Sequence, residues 1–138
     1  MKNDTCIFCK IVSGSIPSYK IHENDDHLAI LDIAQFTEAH TIVIPKKHFE
    51  TIWDAPDIAG YYSFVQEIGD HFKRKGYAYV DTLTMGQMVH HAHVHMIPHN
   101  GDSSDWETAL RVIGKYQLDA GRRLTQKEGN RILKEFAF

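Results

Sequence analysis

His91-Ala92-His93-Val94-His95 places three imidazoles at alternate positions and then runs into Met96, Ile97 and Pro98, the apolar texture of a buried strand. Side chains at i, i+2 and i+4 of a strand project to one side, about 6.6–7 Å apart. His91, His93 and His95 therefore share one face, and Ala92, Val94 and Met96 share the other. One face is chemical and the other packs. A histidine cluster on a strand can be a metal site, a nucleophile with its acid and base helpers, or a polar core network.

Size narrows what surrounds that strand. A chain of 138 residues with 43% hydrophobic content supports one core, so a single domain over 1–138 is expected. The formal charge of −3 supplies no broad basic field, and sequence-independent binding to nucleic acid is not expected. No apolar run reaches about 18 residues, and the first five residues lead into no signal-peptide pattern. Neither membrane insertion nor export is expected, and the default compartment is the cytoplasm.

The two cysteines stand together as Cys6-Ile7-Phe8-Cys9, the spacing of half a zinc site or of a redox pair. A thioredoxin-like motif wants a preceding strand and a long helix after it. Here only five residues precede Cys6, and Gly14 interrupts the segment after Cys9, so redox is the weaker reading. Zinc needs two further ligands, and two free thiols stay open as the alternative.

The remaining pattern predicts strands at 18–23 and 27–33, joined by a turn at Asn24-Asp25-Asp26, and a β-branched third strand at 41–44 ending at Pro45. From 57 to 75, Ile58, Tyr61 or Tyr62, Val65, Ile68 and Phe72 recur at helical spacing, with Gly76 marking the end. Strands at 77–85 and 91–97 form a second hairpin. Capping boxes at Ser104-Asp105-Trp106-Glu107 and Thr125-Gln126-Lys127-Glu128 start two tail helices separated by Gly121. The architecture is α+β, with an antiparallel sheet of about five strands packed with helices.

Several segments, in order, resemble the histidine triad family of nucleotidyl hydrolases and transferases, in its short Hint-like bacterial branch. They are the Cys6–Cys9 segment, Ile16-Pro17, 27–33, 40–48, and Gly86-Gln87 followed by His91, His93 and His95. The resemblance implies a nucleotide-conjugate hydrolase or transferase acting at an α-phosphate, with adenosine phosphoramidates or dinucleoside polyphosphates as substrates. His93 would be the nucleophile and His95 the helper at the leaving group. The His91 carbonyl would accept from the far nitrogen of His93, with His40 as a fourth, supporting imidazole. A neutral imidazole is a competent nucleophile near pH 7, so the residues could do this unaided.

The resemblance further puts Asp32 on the ribose hydroxyls, lines the base slot with Phe8, Ile11, Ile30, Leu31 and Ile33, and sets Gln87 on a phosphate oxygen. It completes a structural Zn2+ site as Cys6, Cys9, His48 and His91, and it implies a homodimer through the long helix and the strand before the triad. Tyr61, Tyr62 and Phe64 carry more aromatic area than one buried stripe requires, which agrees with a partner. Where relatives carry Asn-x-Gly before Gly-Gln, this chain has Val80-Asp81-Thr82-Leu83-Thr84, and Glu38-Ala39 replaces Pro-Gly before His40. A zinc metallohydrolase using the histidine cluster and a non-catalytic nucleotide sensor are the alternatives. His22, His27, His71, His90 and His99 are expected at the surface or in satisfied polar positions.

Overall fold

The computed structural model describes residues 4–101 and 104–138, the side chain of Ser104 apart. Contacts divide these into a first unit up to residue 103 and a second unit, Ser104–Phe138.

The first unit is a five-stranded antiparallel sheet in the order β1-β2-β3-β5-β4, comprising β1 Lys20–Glu23, β2 His27–Leu31, β3 Thr41–Pro45, β4 Tyr79–Leu83 and β5 Val94–His99. The β1–β2 turn closes as the sequence predicts, because the Asn24 side-chain oxygen accepts from the backbone N–H of Asp26 (3.0 Å) and of His27 (2.7 Å). Strand β2 is shorter than expected. It ends at Leu31, leaving Asp32 and Ile33 in the loop that leads to His40. Strand β5 is displaced, beginning at Val94 and running through Pro98 to His99.

The alternation of β2, β3 and β5 divides the core in two. Ala29, Val43, Val94 and Met96 face α2 (Ile58–Arg74), which contributes Tyr61, Phe64, Val65, Ile68 and Phe72. Leu28, Ile30, Ile42 and Ile44 face the other way, onto Phe8, Ile11 and Val12 of α1 (Ile7–Val12). Helix α1 is too short to show a period and has no signature in the sequence. Its start is what makes the cysteine spacing useful, since Cys6 stands at the residue before it and Cys9 follows one turn on, so the two thiols fall on one side.

Helix α2 corrects the expected aromatic surplus. Tyr61 and Phe64 are both buried, Tyr61 donating its hydroxyl to the Val43 carbonyl at 2.7 Å, so only Tyr62 of the three is exposed. His27 also departs from expectation. It is buried and stacked against Tyr61 and Phe64, with ring centroids 5.1 and 5.5 Å away, and its Nδ1 has no hydrogen-bond partner among the described residues.

The second unit holds α3 (Ser104–Leu118), a single 3-10 turn at Ala120–Arg122 and α4 (Gln126–Phe136). Thr125 and Glu128 form the expected capping box. Helix α3 is described over Ser104–Leu118; the side chain of Ser104, on which the expected capping box at 104–107 depends, and residues 102 and 103 lie outside the described residues.

Candidate active site

Only His95 of the three alternate histidines belongs to the ladder, where it pairs with Ile42 of β3 and Leu83 of β4. Residues 91–93 diverge because their polar groups are claimed by the last residue of β3 and by residues beyond the ends of β3 and β4. His91 Nε2 donates to the Pro45 carbonyl (2.8 Å), the Ala92 N–H to the Phe49 carbonyl (2.7 Å), and the Thr84 hydroxyl to the His93 carbonyl (2.8 Å). The two-residue alternation survives this divergence. Ala92 still packs with Val94 and Met96, while the rings of His91 and His93 lie 5.7 and 5.3 Å from that of Phe8 on the α1 side.

His93 Nδ1 lies 2.8 Å from the His91 carbonyl oxygen. A carbonyl only accepts, so Nδ1 carries the proton, and in the neutral ring Nε2 keeps a lone pair. The His95 ring is 5.1 Å from that of His93, and His95 Nδ1 is 3.0 Å from His40 Nε2. Burial, then the neighbouring His93 and His40, hold His95 down at about 4, so its ring is neutral near pH 7. His40 is fully buried, and burial lowers its pKa against the opposing pull of Asp32. Its Nδ1 is 3.1 Å from the Ala34 carbonyl and 3.2 Å from the Phe36 N–H, so either ring nitrogen can hold the proton. The Phe36 ring stacks on it at 4.6 Å.

Asp32 completes this corner. Its N–H donates to the His40 carbonyl (2.9 Å) and its Oδ1 accepts from the Ala34 N–H (2.8 Å). Its Oδ2 is left 3.6 Å from His95 Nδ1 and 3.8 Å from His40 Nε2. Among the residues expected around a base, Phe8 and Ile30 are buried together with Ile11 against them. Leu31 follows Ile30 in β2, so alternation turns it to the opposite face. Ile33 is 91% exposed, one residue beyond Asp32. Gln87 is exposed on the loop between β4 and His91.

The His91 side chain belongs to a different cluster. Its Nδ1 faces Cys6 Sγ (3.4 Å), Cys9 Sγ (3.6 Å) and His48 Nδ1 (3.2 Å), and Cys9 Sγ is 3.3 Å from His48 Nδ1. Four ligands about 2.0–2.3 Å from a common centre at tetrahedral corners lie about 3.3–3.8 Å from one another, so this donor set fits zinc. The Pro45 carbonyl behind His91 Nε2 is the outer partner that fixes which nitrogen faces a metal. All four residues are the expected ones. His91 thus reaches the triad through its carbonyl and not through its ring.

Two residues of the site carry no signal in the sequence. Thr84 anchors the His93 backbone and Phe36 covers His40; a threonine near a strand end and a loop phenylalanine are too common to point anywhere. Ala39 holds φ at +69°, the left-handed region, immediately before His40. A glycine there would meet no such strain.

The family model of the HIT domain matches residues 13–102. The chain is 41% identical over 109 residues to "Protein hit" of Bacillus subtilis, covering 71% of this chain and 73% of that one. It is 33% identical over 134 residues to the adenylylsulfatase HINT3 of Arabidopsis thaliana, covering 91% and 66%. Among solved structures, a HIT family protein from Bacillus anthracis superposes with a TM-score of 0.75 at 32% identity, covering 97% and 96%. A zinc-bound histidine triad family protein from Mycobacterium smegmatis superposes with a TM-score of 0.65 at 31% identity, covering 73% and 79%.

Proposed function

The chain belongs to the HIT domain family, and we propose that it is a nucleotide-conjugate hydrolase or transferase working through a nucleotidyl-histidine. The observation that carries this reading is the 2.8 Å bond from His93 Nδ1 to the His91 carbonyl, which leaves Nε2 as the only lone pair on that ring. Nε2 attacks the α-phosphorus, the phosphorus–nitrogen bond forms, and the bond to the leaving group breaks. With the anionic phosphate bound, His95 takes up a second proton and becomes an imidazolium, its Nδ1–H facing His40 Nε2 and Asp32, which stabilise the positive ring. Its Nε2–H then goes to the departing group and His95 returns to the neutral form. Water then attacks the same phosphorus and releases the mononucleotide, or an acceptor takes it.

Asp32 serves the ribose, since a carboxylate oxygen without a full hydrogen bond is suited to two vicinal hydroxyls. Ile33, exposed beside it, offers the apolar face for a purine. Adenosine phosphoramidates and dinucleoside polyphosphates are the substrates proposed, with adenylyl sulfate added because HINT3 is an adenylylsulfatase. Cys6, Cys9, His48 and His91 would hold a structural zinc, supported by the fit of their spacing and by the zinc-bound relative. That metal supplies rigidity to the segment before His93, and the closed Cys2His2 set leaves no position for substrate.

We also propose a homodimer through α2 and the edge strand β4, where Tyr62 and Tyr79 are exposed. Light scattering at a mass of 15.8 kDa at every concentration would remove it.

Rapid acid quench with an adenylate conjugate tests the chemistry. Acid-labile nucleotide on wild type and none on His93→Ala, with mononucleotide binding retained, is the expected result. Turnover that continues in His93→Ala would end the covalent reading.

A further inference from the structure

We propose that Asp32, His40 and His95 form a second divalent-cation site, open and weaker than the Cys2His2 set, and that a cation bound there excludes nucleotide. The cation site stands on geometry alone; the exclusion rests on the proposed nucleotide chemistry.

Three ligand atoms converge. His40 Nε2 and His95 Nδ1 are 3.0 Å apart, and Asp32 Oδ2 is 3.8 Å from the first and 3.6 Å from the second. A triangle with these sides has a point about 2.0 Å from all three corners, the length at which zinc takes imidazole nitrogen and carboxylate oxygen. The three therefore need little rearrangement to share an ion. Each also has outer support of the kind that orients metal ligands. The Ala34 carbonyl accepts from Nδ1 of His40 when Nε2 is the ligand, the Ala34 N–H holds Oδ1 of Asp32 and frees Oδ2, and β5 fixes His95 between Ile42 and Leu83.

The donor set also states which ions fit. Two imidazoles and one carboxylate, with positions left open, suit first-row divalent ions such as zinc, cobalt or nickel rather than calcium or magnesium. Binding replaces the His40–His95 hydrogen bond, and Asp32 supplies one charge where the closed set supplies two thiolates, so affinity is lower. His93 is not part of this set, and its Nδ1 stays on the His91 carbonyl. The ion would hold Asp32 and His95 at the atoms that the ribose and the leaving-group proton relay require, which makes it an inhibitor and not a water activator.

The test uses protein with its Cys2His2 site saturated by zinc and titrates cobalt(II). One further equivalent is expected, giving weak visible ligand-field bands without thiolate charge transfer. Asp32→Asn should weaken it at least tenfold, His93→Ala should retain it without turnover, and saturating adenosine monophosphate should raise its apparent Kd at least tenfold. No second equivalent up to millimolar cobalt, or one undiminished in Asp32→Asn, would overturn the site. Cobalt binding unaffected by bound mononucleotide would overturn the exclusion. Failure of mononucleotide to bind at all, read by direct titration, would remove the nucleotide reading and the exclusion together while an Asp32-dependent cobalt equivalent still upheld the site.

Discussion

His91 and His93 are joined by a 2.8 Å bond from an imidazole N–H to a main-chain carbonyl, and the ring of the same His91 faces two thiols and a second imidazole. The tautomer of the proposed nucleophile is therefore set by a residue whose own position depends on the cysteine cluster.

That dependence predicts the effect of removing thiols. Cys9→Ser should take metal content from about one zinc per chain to a small fraction, lower the melting temperature, and reduce kcat about 10–100-fold with a smaller change in KM. Metal analysis and steady-state kinetics on the same preparation check it. Full activity in zinc-free protein would cut the link between the clusters.

Thr84→Val removes the hydroxyl that donates to the His93 carbonyl and keeps the shape. A net hydrogen bond is worth about 1 kcal/mol, so kcat should fall about fivefold with KM almost unchanged and the fold intact. Thr84→Ser should restore most of the rate. Equal losses in both variants would mean the methyl group matters instead.

Asp32→Asn should raise the Kd for a mononucleotide about 10–100-fold, the range for losing hydrogen bonds to a charged group. Calorimetric titration measures it. A 2′,3′-dideoxy mononucleotide should bind wild type and variant alike, and a preserved preference for the ribonucleotide in the variant would place the sugar elsewhere.

His27 gives a pH dependence of stability. Burial lowers its pKa from 6.5, so near and below that value the unfolded chain takes up a proton that the folded chain refuses. Its contribution is present above the unfolded pKa and declines as the pH falls through it. His27→Phe, which preserves the stacking on Tyr61 and Phe64, should flatten the fall in urea midpoint between pH 7.5 and 5. An unchanged slope would show that His27 is not the group responsible.

Local pattern makes much of this legible. The alternation at 91–97, the Asn24 turn and the helical period at 57–75 are properties of neighbours in the chain, and the structure keeps them. The hidden part depends on distant partners. The start of β5 is set by carbonyls at Pro45 and Phe49, more than 40 residues away. Tyr61 lies inside because Val43 offers a carbonyl, a choice over Tyr62 that spacing alone leaves open. His27 could not be placed from the sequence, since stacking on two rings of α2 has no signature in a strand. The cysteine pair needed its other two ligands from 48 and 91, which spacing alone could not supply.

The two faces kept along residues 92–96 bear on how this chain can change over time. Val94 and Met96 pack beneath α2, while His93 faces Phe8 of α1 and His95 faces His40. Substitutions at even positions should be judged by volume and those at odd positions by chemistry, so a saturation scan scored separately for abundance and turnover would oscillate with a period of two along 92–96. A lineage could then drift in its core without retuning its reaction, or exchange one reaction for another without rebuilding its core.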